Sequence, residues 1–193
     1  MATTEEIKAL RDDTGVSVMQ CKKALEEAGG DMDKAKVILR KQSAAVAAKK
    51  SDRALGAGIA IAYVHAGGSV ASSVVLGCES DFVAKNPEFS KLAYDIAMHI
   101  AAMNPQFVRR EDVQEDDLVA ARAVFENEAK DKPENIRAKI VEGKLDVYLK
   151  ERVLLEQPFV KDGDKTVRQL IDEAVQKFGE KIDVVKMARL SVK

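Results

Sequence analysis

Apolar residues near the start of the chain recur at helical spacing in three short segments. Thr3 and Glu6 form a predicted capping box ahead of the first segment, and Gly15 supplies a stop after it. Asp31 is the predicted N-cap of the third segment. The residues that share the inner faces are Ile7, Leu10, Cys21, Ala24, Leu25, Ala28, Ala35, Ile38 and Leu39. This pattern predicts a bundle of three helices within residues 1–42.

The spacing of apolar residues then changes from helical to alternating. Residues 59–65 alternate and are rich in β-formers, Gly67-Gly68 fits a tight turn, and residues 69–78 return as a partner strand. A last β-prone run, 182–192, predicts a strand that joins this hairpin. Together the three strands predict a small antiparallel sheet.

Helical signals fill the stretch between the second and third predicted strands. A helix is predicted after Pro87, another over residues 111–130, and a helix or helical hairpin between Pro133 and Gln157. Thr166 caps a further helix. The helix after Pro87 collects in one sector Phe89, Leu92, Ala93, Ile96, Ile100 and Met103. Helices packed on a small antiparallel sheet correspond to the α+β fold class.

Two composition changes divide the chain into domains. Residues 43–57 are rich in Ala, Lys, Ser and Gly, and they separate two independent apolar patterns. We therefore predict a three-helix domain over 1–42, a linker over 43–57 and an α+β core over 58–193.

The charge balance and the cysteines limit the classes of function. The formal net charge is −1, which argues against a broad nucleic-acid-binding face. No stretch approaches the roughly 20 apolar residues of a membrane span, and the first residues do not resemble a signal peptide. The two cysteines, Cys21 and Cys78, suit a reducing compartment. We expect a cytoplasmic protein that contacts neither nucleic acid nor membrane.

Candidate catalytic groups are sparse. Gly67-Gly68 reads as a turn rather than a phosphate loop, and no His or Cys spacing is typical of a metal site. Cys78 and His99 could in principle form a thiolate pair, but nothing in the sequence brings them together. We therefore expect neither enzyme activity nor a cofactor.

One acidic stretch between the predicted sheet and the next helix carries a single aromatic residue, Phe82. A strand precedes it, and Asn86 and Pro87 have the residue types of a helix N-cap and first helical position. A segment held at both ends can present an aromatic side chain to a partner's pocket at low entropic cost. The alternative is that Phe82 packs back over its own sheet, and the local sequence allows both.

Four blocks of this sequence resemble the translation elongation factor Ts family, the nucleotide-exchange factors of the GTPase elongation factor Tu. Ser80-Asp81-Phe82-Val83 is similar to the family's Thr-Asp-Phe-Val motif, with a hydroxyl kept at Ser80. Residues 10–41 resemble the family's N-terminal domain, which is similar to a ubiquitin-associated domain, and 95–113 and 140–167 resemble later blocks. Larger members carry two related core subdomains, whereas this chain resembles a short form with one.

The resemblance implies an exchange factor that binds the GDP form of elongation factor Tu and promotes GDP release. Phe82 would insert between helices of the GTPase and disturb its Mg²⁺ site, while Asp81 would order the turn or pair with the partner. His99 lies at the edge of its helix's apolar sector, where it could touch a partner or cover the core. The implied contact residues are Lys22, Ser80, Asp81, Phe82, Val83 and His99, with Lys49 and Lys50 as weaker matches.

Two further hypotheses concern partners. An adaptor built on the N-terminal bundle is the alternative function, because a fold alone does not determine activity. A homodimer is expected, since a single core leaves a sheet face and edges to cover, and a second copy would supply the missing core.

Overall fold

The computed structural model describes residues 2–192, so the predicted domain limits at 1 and 193 lie outside the described residues. Its helices are α1 Thr4–Thr14, α2 Val18–Glu27, α3 Met32–Ala48, α4 Asp81–Ala84, α5 Pro87–Met103, α6 Glu115–Glu128, α7 Glu134–Lys150 and α8 Val167–Phe178. Its strands are β1 Ala57–Val64, β2 Val70–Cys78, β3 Pro158–Phe159, β4 Asp162–Thr166 and β5 Asp183–Ser191. Short 3₁₀ turns lie at Arg110–Asp112 and Leu154–Glu156.

The predicted three-helix bundle is confirmed as α1, α2 and α3. Thr3 and Glu6 form both halves of the capping box at the start of α1. Gly15 ends α1 in the left-handed region, with φ of 68°, a conformation that costs glycine little. The bundle has its own core, made of Leu10, Val16, Cys21, Ala24, Leu25, Ala35 and Leu39.

The predicted antiparallel sheet is also confirmed, in the order β1-β2-β5. The last strand joins the hairpin at the free edge of β2, where Ser73 pairs with Ala188. Helix α5 covers one face of the sheet, and α8 adds its buried side chains to the main core that forms there. The largest apolar side chains of that core include Phe89, Ile96, Ile100, Leu76 and Leu154. The chain therefore has an α+β fold.

The segment predicted as a linker, 43–57, begins as helix. Helix α3 continues to Ala48, because its alanine-rich end has high helix propensity and tertiary contacts on one side. Ser43 is buried and donates its hydroxyl to the Leu39 carbonyl, while Val46 and Ala47 pack against the main core. Thus α3 connects the bundle directly to α8 of the core.

The stretch after α5 contains the helix expected over residues 111–130, as α6, and the region after Pro133 forms one helix, α7, rather than a hairpin of its own. The two helices share a small core, in which Ala121 and Ala129 meet Val141 and Leu145. The short ladder of β3 and β4 that follows was not predicted from sequence, since its residues are largely polar and do not alternate. The start of this ladder lies against His99, where Phe159 packs beside the imidazole ring.

Within the described part of the chain, no helix combines the length and apolar character that crossing a membrane requires.

Candidate functional site

The stretch that carries Phe82 is a single helical turn, α4, where a loop was expected. Ser80 is its N-cap and accepts a hydrogen bond from the Val83 amide at 3.4 Å. Phe82 projects from this turn with 84% of its surface exposed, whereas the next residue, Val83, is only 3% exposed. Phe82 therefore does not pack over its own sheet, and the hypothesis of an outward aromatic side chain agrees with the geometry.

Val83 has a different role from the one implied by the family motif. Its side chain lies in the main core among the residues that α5 and β2 bury. A buried valine is not available to a partner, so its place among the contact residues is corrected. Val83 instead fixes the inner side of α4 and thereby turns Phe82 outward, because successive helical residues point in different directions.

A distant carboxylate fixes the start of the turn. Glu180, in the connection between α8 and β5, accepts the backbone N–H groups of Glu79 and Ser80 at 3.0 and 2.9 Å through Oε2. Its Oε1 accepts the Ser80 hydroxyl at 2.5 Å. Both oxygens of one carboxylate are thus used to hold the residues that lead into α4.

A second carboxylate makes the reciprocal contact. Glu79 accepts the backbone N–H of Lys181 at 2.5 Å and the Arg53 guanidinium at 3.2 Å. The Lys181 N–H, and after it Arg53, lowers the pKa of Glu79. The Lys181 ammonium donates to the carbonyls of Ser51 and Arg53 at 2.6 and 2.9 Å. Three segments distant in sequence are therefore joined beside α4.

The two lysines that matched the family loosely differ in their surroundings. Lys50 donates its ammonium to the Gly179 carbonyl at 2.8 Å, so it belongs to this internal network. Lys49 lies exposed at the C-cap of α3.

Asp81 lies exposed in the first and only turn of α4. Its carboxylate makes no hydrogen bond or ion pair with any residue of the described range 2–192. Of the two roles implied for it, ordering the turn or pairing with a partner, the geometry favours the second.

His99 is not at a contact surface: its side chain has no exposed area. Nδ1 accepts the Val160 amide at 3.2 Å, so the proton of the neutral ring is on Nε2, which donates to Gln157 Oε1 at 2.9 Å. Burial lowers the pKa of the imidazole, and the bond to Gln157 opposes this shift. The ring of Phe159 lies beside it at 5.9 Å between centroids.

The expectation of a surface role for His99 is therefore wrong, and the cause is the unpredicted β3 segment. Helical spacing placed His99 at the edge of the apolar sector of α5, where a residue can be half-exposed. Residues Gln157 to Val160 fold over that edge and bury the ring. The two ring nitrogens of His99 therefore form hydrogen bonds with the segment that covers it.

Lys22 lies on an exposed surface of α2, in the N-terminal bundle. Its ammonium is 3.9 Å from Glu26, one helical turn away, and 58% of its side chain is exposed. Such a pair contributes little to folding. Lys22 is therefore available to a partner.

The outer face of the sheet, opposite α5, carries mostly small and apolar side chains, together with the exposed Lys186 beside Val75. Strand pairing aligns Ala60 with Val75 and Ala62 with Ser73, and on the other side Ser73 with Ala188. Val64 and Leu190 extend this face and are 64% and 73% exposed. We call this set the outer sheet face.

The catalytic pair considered from sequence does not form. The Cys78 thiol donates to the Ser80 carbonyl at 3.3 Å, whereas both nitrogens of His99 have other partners. Burial raises the pKa of the Cys78 thiol. Within residues 2–192, no group of three or more His, Cys, Asp or Glu side chains is arranged to hold a metal ion.

Comparison with known proteins places these residues in a family. A family model described as elongation factor TS matches residues 31–193. An elongation factor Ts of Desulforamulus reducens is 49% identical over 95% of this chain and 85% of its own length. Those of Thermotoga petrophila and Thermosipho melanesiensis are 48% and 45% identical, over 96% and 100% of this chain and 94% and 99% of their own lengths.

Proposed function

Because this chain belongs to the elongation factor Ts family, we propose that it is a guanine-nucleotide exchange factor for elongation factor Tu. It binds the GDP form of this GTPase and promotes release of GDP during polypeptide elongation. The observation that carries the proposal is the exposed side chain of Phe82 on an anchored helical turn.

An exposed phenylalanine on a fixed support is suited to binding. Burial of an aromatic ring in a partner's pocket commonly supplies 2 kcal/mol or more, about thirtyfold in affinity. Ring and backbone are already positioned, so little conformational entropy is lost when they bind. In the proposed complex, Phe82 enters between helices of the nucleotide domain of elongation factor Tu and disturbs its Mg²⁺ site.

Exchange of this kind requires no catalytic group in the chain itself. A protein that binds the nucleotide-free GTPase more tightly than the GDP form must, by linkage, weaken GDP binding by the same factor. Asp81 offers an exposed carboxylate beside Phe82, and Lys22 offers a cation from the bundle. Val83 supports the Phe82 turn from inside.

The direct test is the rate at which purified elongation factor Tu releases labelled GDP into excess unlabelled GDP. We expect this chain to raise the rate in a concentration-dependent, saturable way. Release at the spontaneous rate over the whole concentration range contradicts the proposed function.

We also propose that two copies of the chain associate through the outer sheet face. The small side chains at the centre of this face allow a second copy to approach closely and cover its exposed apolar groups. A two-fold axis would bring Val64 and Leu190 of one copy against the same face of the other. One elongation factor Tu could then touch the Phe82 turn of one copy and the core of the other.

Light scattering under reducing conditions tests this association. We expect a mass of twice 21.1 kDa at micromolar concentration. Leu190→Asp should shift the mass toward the monomer, while Val119→Asp, at a similarly exposed valine of α6, should not. A monomeric wild-type chain contradicts the proposal.

The alternative function, an adaptor built on the N-terminal bundle, has less support. Family similarity extends through the core, which an adaptor of that kind would not require. A factor of polypeptide elongation acts where ribosomes translate, so we propose a cytoplasmic location.

A further inference from the structure

The start of the Phe82 turn depends on one side chain about a hundred residues further along the chain. Three donors converge on the Glu180 carboxylate: the N–H groups of Glu79 and Ser80 and the Ser80 hydroxyl. The same hydroxyl oxygen accepts the Val83 amide inside α4. A continuous path of hydrogen bonds therefore leads from Glu180 into the turn.

Helix α4 has too few residues to maintain its own geometry. It spans only Asp81–Ala84, and an isolated helix of one turn is unstable in water because its nucleation cost is not repaid. The direction of Phe82 must therefore come from tertiary anchors. Val83 is the anchor beneath the turn, and Ser80, held by Glu180, is the anchor at its start.

Glu180 is itself held in place by the reciprocal contact. The adjacent Lys181 N–H donates to Glu79, and the Lys181 ammonium donates to the carbonyls of Ser51 and Arg53. We call Glu79, Ser80, Glu180 and Lys181 the acidic clasp. The clasp also reaches the end of α3, because Lys50 donates to the Gly179 carbonyl.

We propose that Glu180 is a positioning residue for nucleotide exchange: through the acidic clasp it holds Phe82 in the projecting orientation that binds the GTPase. The inference rests on the proposed function of Phe82. Glu180 itself need not touch the partner. Its effect is to pre-order the turn, so that binding does not have to bear the entropy of ordering it.

The chemistry of the site favours a carboxylate in this role, because a charged acceptor makes the stronger hydrogen bonds. A carboxylate offers acceptors only, and each of its three partners is a donor. In Glu180→Gln, the amide oxygen can still accept the two backbone N–H groups, but the Ser80 hydroxyl must reverse to accept from the NH₂, and all three bonds lose the negative charge that strengthens them. The substitution preserves size and leaves the core untouched.

The first measurement uses the chain without a partner and therefore does not depend on the proposed function. In Glu180→Gln we expect hydrogen exchange at the amides of Glu79, Ser80 and Val83 to accelerate by about tenfold or more. Amides of β1 and α5 should keep their rates. Glu156→Gln is the matched control, because Glu156 accepts the Arg110 guanidinium and has no contact with the turn.

The second measurement is GDP release from elongation factor Tu at increasing chain concentration. Since pre-ordering acts at binding, Glu180→Gln should raise the half-saturating concentration by about tenfold and preserve the maximal rate. In a Phe82→Ala background the same substitution should cause no further loss, because Glu180 acts through Phe82. Glu156→Gln should behave as the wild type.

The outcomes separate the two proposals. Any one of three results overturns the positioning role. These are wild-type amide exchange in Glu180→Gln, an unchanged half-saturating concentration in that variant, and a full additional loss when Glu180→Gln is added to Phe82→Ala. A wild-type chain that fails to accelerate GDP release overturns the proposed function, and with it any role for Glu180 in exchange, whatever the amide rates show.

Discussion

The turn that carries Phe82 and the pocket that holds His99 are opposite arrangements on one core. Phe82 is an apolar ring that faces solvent, and His99 is a polar ring with both nitrogens bonded inside the protein. Both match family blocks, and both were candidates for contact with the GTPase. The comparison shows that a residue matching a family motif can lie at the surface or beneath it, and that burial distinguishes the two.

The energetic consequences of the two arrangements differ. An exposed ring contributes little to folding, so its free energy of burial remains available for a partner. Removal of a buried, hydrogen-bonded ring leaves the donors or acceptors of its neighbours unpaired, which costs about 1–3 kcal/mol of folding free energy. Phe82 should therefore affect binding alone, and His99 should affect stability first.

The largest effect is expected for Phe82→Ala. Loss of the aromatic anchor should reduce the rate of GDP release at low chain concentration by about thirtyfold or more, equivalent to about 2 kcal/mol. The free energy of unfolding should change by less than about 0.5 kcal/mol, since the side chain is exposed. Stopped-flow release and urea unfolding on the same preparation measure both quantities.

Val119→Ala, at an exposed valine of α6, is the control for that experiment and should change neither quantity. If Phe82→Ala lowers stability sharply and leaves release unchanged, Phe82 supports the fold and the comparison with His99 fails.

The second effect is that of His99→Ala on stability. Removal of the imidazole leaves the Val160 amide and the Gln157 side chain without their partner, so we expect a loss of about 1–3 kcal/mol in unfolding free energy. GDP release per folded molecule should remain within about threefold of wild type at low temperature. If His99→Ala has normal stability but no longer accelerates GDP release, His99 contributes to contact with the GTPase and the present assignment is wrong.

The contrast between these rings could not be derived from sequence. Caps such as Thr3 and Thr166, and the alternation of β1 and β2, are local signals, and they predicted helices and strands close to those observed. Strand β3 is only two residues long and β4 is polar, so neither carries such a signal and the cover over His99 was missed. Glu180 was missed for a related reason: its contact with Ser80 spans 100 positions, and no local pattern marks it.

Asp172 on α8 is a third case: a buried carboxyl whose charge is opposed by desolvation. Its carboxyl is buried beneath the end of α3, and desolvation raises its pKa to about 6 from the usual 3.8. The folded state then binds more protons than the unfolded state between these two values, so this group destabilises the protein as pH rises through that window.

We therefore expect Asp172→Asn to stabilise the protein by about 1–2 kcal/mol at pH 8, with the difference disappearing near pH 4. Urea unfolding at several pH values measures it. Glu173→Gln on the same helix is a useful comparison, because Glu173 is paired with Lys165. A stabilisation that does not vary with pH would show that the charge of Asp172 is not its cause.

The smallest effect is expected for Lys22→Ala. Lys22 is exposed and forms only a long pair with Glu26, so stability should be unchanged within about 0.5 kcal/mol. Loss of one peripheral cation should slow association with elongation factor Tu by about two- to fivefold, and added salt should reduce the difference. Lys23→Ala removes an adjacent exposed charge as control, and equal effects of the two would indicate only general electrostatic attraction.

The central claim is that Phe82 drives exchange through a preference for the nucleotide-free GTPase, and one pair of affinities tests it most directly. Calorimetry or surface-based binding should compare the chain with nucleotide-free and GDP-bound elongation factor Tu, for wild type and Phe82→Ala. We predict that the wild type prefers the nucleotide-free form by about tenfold or more, and that Phe82→Ala loses most of this preference. Equal affinities of the wild type for both forms, or an unchanged preference in Phe82→Ala, would contradict the account.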